Sequence, residues 1–315
     1  MSGNPICELL QIEYPIFQGA MAWIADGRLA AAVSEAGGLG IIAGGNAPAD
    51  YVREQIRLLR ERSSKPFAVN IMLQSPFAEE IAQLVCEERV PAVTTGAGNP
   101  ARYMERWKQA GIKVIPVVAS TAMAKLMSRT GADALIAEGG ESGGHVGELS
   151  TMVLLPLVSD VTTLPLIAAG GIGDGRGIAA AWALGASAVQ LGTRFLTARE
   201  CPIHPEYREK ILKATDRSTV VTGRTTGHPV RALRTPFTRE YEAREYGGAE
   251  AVELERLGSG ALRKAVQDGD VQEGCFMSGE IAAMFTKTQT AREIIEDLVR
   301  DAEQRGVRLR GDCGL

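Results

Sequence analysis

The sequence predicts an α/β protein, a (β/α)8 TIM barrel that carries a smaller capping insertion after the eighth strand. Short apolar runs of β type recur along the first two thirds of the chain, and a helix-compatible stretch rich in Ala, Glu, Arg and Leu follows each of them. Such runs are typical of parallel strands that are buried on both faces of a sheet. Because eight of them occur, a closed barrel is favoured over an open sheet.

The eight predicted strands, in chain order, are "PIFQGA" from Pro15, "LGIIAG" from Leu39, "FAVNIM" from Phe67, "AVTTGAG" from Ala92, "KVIPVV" from Lys113, "ALIAEG" from Ala134, "LIAAGG" from Leu166 and "AVQLGT" from Ala188. The helices between them have recognisable ends. Asp26 is a predicted N-cap, Pro48 opens the next helix, and Gly111 and Gly131 close two later helices.

The pattern changes after Ala198, which divides the chain into three predicted parts. Residues 1–200 form the barrel. Residues 201–274 carry helices and turns without a comparable strand rhythm, and we expect them to cap the barrel. In residues 275–315, "CFMSGEIAAMF" and "TAREIIEDLVRDAEQR" are predicted helices that return to cover the barrel.

Composition limits the possible partners and locations. The 315 residues carry a formal net charge of −4, which argues against a nucleic-acid partner. The cysteines lie at positions 7, 86, 201, 275 and 313 without a C-x-x-C pair, as expected for reduced thiols in a cytosol. The sequence has neither a signal-peptide pattern nor an apolar segment of membrane-spanning length, so we expect a cytoplasmic protein with no membrane partner.

Chemistry in this fold lies at the carboxyl ends of the strands. In this sequence those ends are small and polar: Gln18, Gly19 and Met21; Gly44, Gly45 and Asn46; Asn70; residues 94–99; Glu138; Gly170 and Gly171; and Gln190, Gly192 and Thr193. Single glycines are common where a strand turns into a helix. A whole ring of such residues instead indicates a binding cleft.

The last two strand ends predict a phosphate site. Gly170, Gly171 and Gly192 offer flexible backbone N–H groups, and Thr193 adds a hydroxyl, where these barrels commonly bind phosphate. A broad cleft with amide side chains suits FMN, whose ring edge can pair with Asn70 and Gln190. Pyridoxal phosphate competes less well, because it needs a lysine near a strand end and none of the eight strands ends in one.

Other sites have weaker support. "GLGIIA" and "GAGNPA" match the dinucleotide fingerprint, but the first precedes a strand and the second is interrupted by Pro100. The three histidines, His145, His204 and His228, are far apart in sequence, and we expect no metal site.

His145 is different in its position, because it sits in a glycine loop after the sixth strand and faces the predicted cleft. Its neutral-range pKa suits a proton donor or acceptor.

Several stretches carry a family resemblance: "YPIFQGAMAWIADGRLAAAVSEAGGLGIIAGGNAP", "FAVNIMLQSPFAEEI", "VTTGAGNPARYMERW", "AEGGESGGHVGELSTM", "IAAGGI" and "AVQLGTRF". The chain resembles the flavin-dependent enoyl-acyl carrier protein reductase II (FabK) family, within the nitronate monooxygenase / 2-nitropropane dioxygenase superfamily. The likeness runs over nearly the whole chain, including "GHPVRAL" and "GDVQEGCFMSGEIAA". It implies an FMN-dependent oxidoreductase of fatty-acid elongation that reduces trans-2-enoyl thioesters with NADH or NADPH.

The resemblance also implies roles by position. The flavin ring would be flanked by Met21, Asn46 and Asn70 and lined by Glu138, Gly143 and Gly144, with Gly19 and Gly45 at neighbouring strand ends. Gly170, Gly171, Gly192 and Thr193 would hold the flavin phosphate beside Gln190, and His145 would be the catalytic residue. A nitronate monooxygenase that oxidises alkyl nitronates with O2 is the close alternative, and a non-enzymatic flavin-binding protein is a distant one. The need for a monovalent cation stays open.

The predicted cap suggests a charged partner. Between Arg217 and Arg239 the chain has five arginines and no acidic residue. We therefore expect Arg224, His228, Arg231 and Arg234 to contact the substrate or an acidic enoyl-acyl carrier protein, although a merely solvated basic surface is the simpler alternative. A homodimer is the expected assembly.

Overall fold

The structure is a computed structural model and describes residues 3–309. The barrel strands are β1 (Ile16–Gln18), β2 (Gly40–Ala43), β3 (Phe67–Met72), β4 (Ala92–Gly96), β5 (Lys113–Val118), β6 (Leu135–Glu138), β8 (Leu166–Ala169) and β9 (Ala188–Leu191), and a second sheet contains β7 (Gly144–His145), β10 (Thr219–Thr222) and β11 (Val230–Leu233). Each of the eight barrel strands lies where the sequence predicts it.

The eight parallel strands close into a barrel. Their hydrogen-bonded order is β1-β9-β8-β6-β5-β4-β3-β2, and a parallel bridge between Phe17 and Leu39 joins the two ends. The buried Gln18 side chain strengthens this seam, because its Nε2 donates to the carbonyl of Ile41 at 3.3 Å and its Oε1 accepts from the N–H of Ile41 at 3.2 Å. The predicted TIM barrel is confirmed.

Helices cover the outside of the barrel: α2 (Gly27–Glu35), α3 (Ala49–Arg60), α4 (Ala78–Glu87), α5 (Ala101–Gln109), α6 (Thr121–Thr130), α7 (Thr151–Ser159), α8 (Gly175–Ala183), α9 (Thr193–Leu196) and α14 (Ala291–Glu303), preceded by α1 (Pro5–Leu10). Asp26 caps α2 as predicted, accepting from the N–H groups of Arg28 and Leu29. The late helix α14 packs against both α2 and α8, so it fills the gap that the four-residue α9 leaves in the ring.

Helix α1 plugs the amino-terminal end of the barrel. Ile6 and Leu10 belong to the same apolar cluster as interior residues such as Phe17 and Ile136. The Asn4 side chain caps α1 and also donates to the carbonyl of Ser187 at 2.8 Å. The opposite end, where the strands finish, is left for the site.

The segment between α9 and α14 contains α10 (Pro205–Leu212), β10, β11, α11 (Pro236–Tyr246), α12 (Ala251–Gly258), the short turns α13 (Ala261–Arg263) and Lys264–Asp268, and a 3-10 helix over Glu280–Met284. Two expectations need correction here. A β-hairpin is present where the sequence suggested helices and turns. In "CFMSGEIAAMF" only Glu280–Met284 is helical, as a 3-10 helix, and the five residues before it form no helix. The proposed domain boundaries remain predictions.

Strands β10, β11 and β7 form an antiparallel sheet that joins this segment to the loop after β6. Val230 pairs with His145, and Arg231 pairs with Gly144. The residues of the loop and of the later segment are thus aligned by backbone hydrogen bonds. No helix within residues 3–309 is long and apolar enough to cross a membrane.

Candidate functional site

The ends of β8 and β9 form an open cradle of backbone N–H groups. Gly170 and Gly171 have φ angles of +91° and +70°, in the left-handed region that favours glycine. Within residues 3–309 the N–H groups of Gly170, Gly171 and Gly192 have no acceptor. Thr193 opens α9 and is buried, and its Oγ1 accepts from the N–H of Gly279 at 2.9 Å. Concave groups of unpaired N–H donors of this kind bind anions.

A second group of predicted residues meets at the ends of β1 and β9. An ideal Cβ built on Gly19 would lie 3.1 Å from Cγ of Gln190, and one built on Gly192 would lie 3.8 Å from Sδ of Met21. The half-buried Gln190 side chain makes no hydrogen bond in the part of the chain that the structure describes. The structure therefore brings Gly19, Met21, Gln190 and Gly192 together around an amide that lacks a partner.

Residues at the ends of β2 and β3 extend the same rim. Asn70 donates through Nδ2 to Oγ1 of Thr94 at 2.9 Å, which fixes its amide on the neighbouring strand. An ideal Cβ on Gly45 would lie 3.3 Å from Cβ of Ala22, so Gly45 adjoins the segment that carries Met21. Asn46 is exposed.

Glu138 is the acidic group of the site. It is the last residue of β6, and burial raises its pKa from 4.5 to about 7. The hydroxyl of Ser142 donates to Oε1 at 3.3 Å and lowers the pKa, but burial dominates. Near neutral pH this carboxyl can therefore either donate or accept a proton.

The glycine loop after β6 is pinned on both sides. The Glu141 carboxylate accepts from the N–H of Thr151 at 2.9 and 3.0 Å and from its hydroxyl at 2.9 Å, so the loop caps α7. An ideal Cβ on Gly143 would lie 2.6 Å from the N of Gly279, which leaves no room for a side chain between the two segments.

His145 lies in β7 at the surface of this loop. Partial burial of the imidazole and the nearby charge of His228 both lower the pKa of His145. A lowered pKa favours the neutral ring at pH 7, which has one N–H donor and one acceptor nitrogen. Backbone pairing between His145 and Val230 fixes the position from which the imidazole side chain extends.

Arg231 ties the loop to the later segment of the chain. Its side chain is 13% exposed, and its Nη1 lies 2.9 Å from Oε1 of Glu280. Its Nη2 donates to the carbonyl of Gly140 at 3.0 Å. Arg231 therefore makes internal contacts that hold the loop, and its contact with a substrate or carrier protein stays a prediction.

The other predicted contact residues of the arginine-rich segment lie at the surface. Arg224 and His228 are exposed in the turn between β10 and β11. The Arg234 side chain is 50% exposed, with Nη1 3.7 Å from a Glu242 carboxylate oxygen. These positions leave them open to a partner, and their roles stay predictions.

Sequence reasoning missed the Met277, Ser278 and Gly279 segment, together with Glu141 and Thr151. An ideal Cβ on Gly144 would lie 3.5 Å from Sδ of Met277. The Tyr207 hydroxyl donates to the Met277 carbonyl at 2.6 Å and fixes this segment. The small residues of "MSGE" were a signal, but nothing local shows that they reach the strand ends. Among the described residues, no group of three His, Cys, Asp or Glu side chains could hold a metal ion.

The family model described as nitronate monooxygenase matches residues 4–301. The structure of FabK from Thermotoga maritima superposes with a TM-score of 0.94 and 50% identity, covering 97% of this chain and 98% of that one.

Two curated relatives match with similar coverage. The (3aS,4S,5R,7aS)-5-hydroxy-7a-methyl-1-oxo-octahydro-1H-indene-4-carboxyl-CoA dehydrogenase of Mycobacterium tuberculosis is 33% identical over 95% of this chain and 96% of its own length. A probable nitronate monooxygenase of Staphylococcus saprophyticus is 32% identical over 94% of this chain and 96% of its own.

Proposed function

Because the chain belongs to the nitronate monooxygenase family of oxidoreductases, we propose that it is an FMN-dependent enoyl-acyl carrier protein reductase. It would reduce trans-2-enoyl thioesters with NADH or NADPH during bacterial fatty-acid elongation in the cytoplasm. The observation that carries the proposal is the 50% identity with FabK over 97% of this chain. The relative named as a carboxyl-CoA dehydrogenase supports it, since that name also describes redox chemistry on a thioester.

The cradle at the ends of β8 and β9 fits the phosphate of FMN. The N–H groups of Gly170, Gly171 and Gly192 lack acceptors among the described residues, and a phosphate provides them. Thr193 would add its hydroxyl, because that oxygen accepts from Gly279 and keeps its own proton to donate.

The rim next to the cradle fits a flat ring system. Met21 offers an apolar contact beside Gly192, and Gln190 has an amide without a partner in residues 3–309. Asn46, Asn70 and Glu138 lie at the neighbouring strand ends and would complete the pocket with Gly143 and Gly144. When bound, FMN supplies the hydride transfer that protein side chains cannot perform.

The protein itself would manage the substrate oxygen and the proton. Hydride addition to the β-carbon of an enoyl thioester places negative charge on the thioester oxygen. The N–H of a neutral His145 imidazole can stabilise that oxygen, and a protonated His145 can deliver the proton that the α-carbon needs. Arg231 and the pairing of β7 with β11 would hold the His145 imidazole in a fixed position relative to the cleft.

An acidic carrier protein is the proposed partner. Arg224, His228 and Arg234 would meet it at the surface, with Arg231 acting from beneath. Charge reversal at Arg224 and Arg234 should raise KM for carrier-linked crotonyl substrate and leave KM for crotonyl-CoA nearly unchanged. Equal effects on both substrates, or none, would favour a merely solvated basic surface.

Anaerobic spectroscopy tests the reaction. The yellow protein is mixed with NADH or NADPH without oxygen, and crotonyl thioester is then added. The proposal predicts bleaching by the nucleotide and recolouring by the thioester. Absence of bleaching, together with oxygen uptake when an alkyl nitronate is supplied, would identify a nitronate monooxygenase instead.

A further inference from the structure

Arg194 is a buried arginine without a counter-ion, and it adjoins the cradle. It directly follows Thr193 in α9 and is only 8% exposed. Within residues 3–309 its guanidinium forms no ion pair. A buried charge is costly unless a charge of the opposite sign compensates it. The protein therefore holds an uncompensated positive charge next to the cradle.

Neutral groups hold the Arg194 guanidinium in place. Its Nη2 donates to Oε1 of Gln289 at 2.7 Å, and its Nη1 donates to Oγ1 of Thr197 at 3.4 Å. Its Cζ lies 5.1 Å from the centre of the Phe285 ring, close enough for a cation–π contact. These contacts fix the position of the charge and leave its sign unbalanced.

The acids in the neighbourhood of Arg194 are already paired with other arginines. Burial lowers the pKa of Arg194, and the negative charges of Asp297 and Asp174 act in the opposite direction. Asp297 forms an ion pair with Arg300, and Asp174 forms one with Arg176. Neither acid is therefore the counter-ion that the buried guanidinium lacks.

The cradle, in turn, has no positive charge of its own. It consists of backbone N–H groups and the Thr193 hydroxyl, and a carboxylate lies beside it. An ideal Cβ on Gly171 would lie 3.6 Å from Cδ of Glu141. A phosphate monoester carries a charge of about −1.5 to −2 at pH 7, so Glu141 repels it. A positive charge nearby is needed to offset that repulsion.

Arg194 also connects the two sides of the cradle. On one side, α9 carries Thr193 and Arg194 together. On the other side, the Phe285 ring beneath the guanidinium meets the loop after β8, because an ideal Cβ on Gly173 would lie 3.1 Å from Cζ of Phe285. Gly173 is two residues after Gly171 of the cradle. The position of Arg194 therefore affects both sides of the cradle.

From these contacts we infer that Arg194 is a positioning residue for the phosphate of the flavin. Its buried charge attracts the phosphate into the uncharged cradle, and the phosphate supplies the missing counter-charge. Charges interact over several ångströms in a protein interior, so the guanidinium acts without touching the phosphate. The inference rests on the proposed FMN binding and adds to it the residue that selects the phosphorylated form of the flavin.

Two flavins that differ by the phosphate test this role. Flavin-stripped full-length protein is titrated with FMN and with riboflavin, and flavin fluorescence gives Kd for each. Arg194→Met removes the charge and should raise Kd for FMN at least about tenfold, with Kd for riboflavin changed less than about twofold. Arg194→Lys keeps the charge and should raise Kd for FMN only about two- to threefold.

Arg60→Met is the matched control. The Arg60 guanidinium also lies over an aromatic ring, 5.8 Å from the centre of Phe67, but Phe67 begins β3 at the end of the barrel opposite the cradle. Both Kd values of this variant should equal those of the wild type. If Arg194→Met does not fold, the Arg194→Lys loss must still be confined to FMN.

Three results would overturn the inference. The first is an equal loss of FMN and riboflavin affinity in the Arg194 variants, which indicates a merely structural role. The second is no loss of FMN affinity in Arg194→Met. The third is a wild type that binds riboflavin as tightly as FMN, a result that leaves the proposed flavin chemistry standing. A wild type that binds neither flavin would overturn the proposed function together with the inference.

Discussion

Replacing Glu138 by Gln gives the sharpest prediction about the site. The pKa of this carboxyl is about 7 in the folded protein and 4.5 without burial. Between these values the folded protein keeps a proton that the unfolded chain has lost. The free energy of unfolding therefore falls as pH rises through this window, and at 1.36 kcal/mol per pH unit the full loss is about 3 kcal/mol. A Gln side chain does not ionise, so the free energy of unfolding of Glu138→Gln does not fall in this way.

Urea denaturation at pH 5 and pH 8 measures the effect, on protein stripped of flavin so that ligand binding adds no stability. The free energy of unfolding of Glu138→Gln, minus that of the wild type, should grow by about 2.5 kcal/mol from pH 5 to pH 8. A constant offset from the substitution does not affect this growth.

Glu148→Gln is the matched control, an exposed carboxyl of the same loop. Its free energy of unfolding should stay within about 0.5 kcal/mol of the wild type at both pH values. If the difference in free energy of unfolding between Glu138→Gln and the wild type does not change with pH, burial does not keep the Glu138 carboxyl protonated, and the reasoning is wrong.

Three further substitutions test other parts of the account. His145→Gln should lower the rate of enoyl reduction, measured by stopped-flow, by about 10² to 10³-fold. In the wild type this rate should decline as pH rises through the lowered pKa of His145, and the variant should lack that decline. An unchanged pH profile in the variant would contradict proton delivery by His145. Arg231→Lys should lower the free energy of unfolding by about 1 to 3 kcal/mol and reduce kcat, because one amine cannot reach both Gly140 and Glu280. Arg234→Lys, at an exposed arginine, is the control. Equal effects of the two substitutions would contradict the role of Arg231 in holding the loop. Gly170→Ala should weaken FMN binding in a fluorescence titration and destabilise the protein by about 1 to 3 kcal/mol, since its φ is +91°; wild-type affinity would argue against the cradle.

Local patterns in the sequence were enough to predict the barrel. Each strand is a short apolar run, and every barrel strand except β5 has a glycine or an amide at or near its carboxyl end. Asp26 marks a helix start because its side chain accepts from two backbone N–H groups, and Gly131 marks a helix end because its backbone is left-handed. The positions of Gly170, Gly192 and Thr193 followed from strand ends alone, because parallel strands finish at one edge.

Contacts between distant segments could not be predicted in this way. Strand β7 has two residues, and its partner β11 lies far along the chain, so neither shows a periodic pattern of its own. In the sequence, Arg231 looks like one member of a basic surface. Only the structure shows that its side chain donates to the carbonyl of Gly140. The path of "CFMSG" is not helical, and it likewise depends on a distant residue, because the Tyr207 hydroxyl donates to the Met277 carbonyl.

FMN content tests the central claim most directly. The protein is purified, its visible spectrum is recorded, and flavin-stripped protein is titrated with FMN. The account predicts a yellow protein that binds one FMN per chain, with binding weakened by Thr193→Val. A colourless protein that takes up no FMN would contradict both the cradle and the proposed reaction.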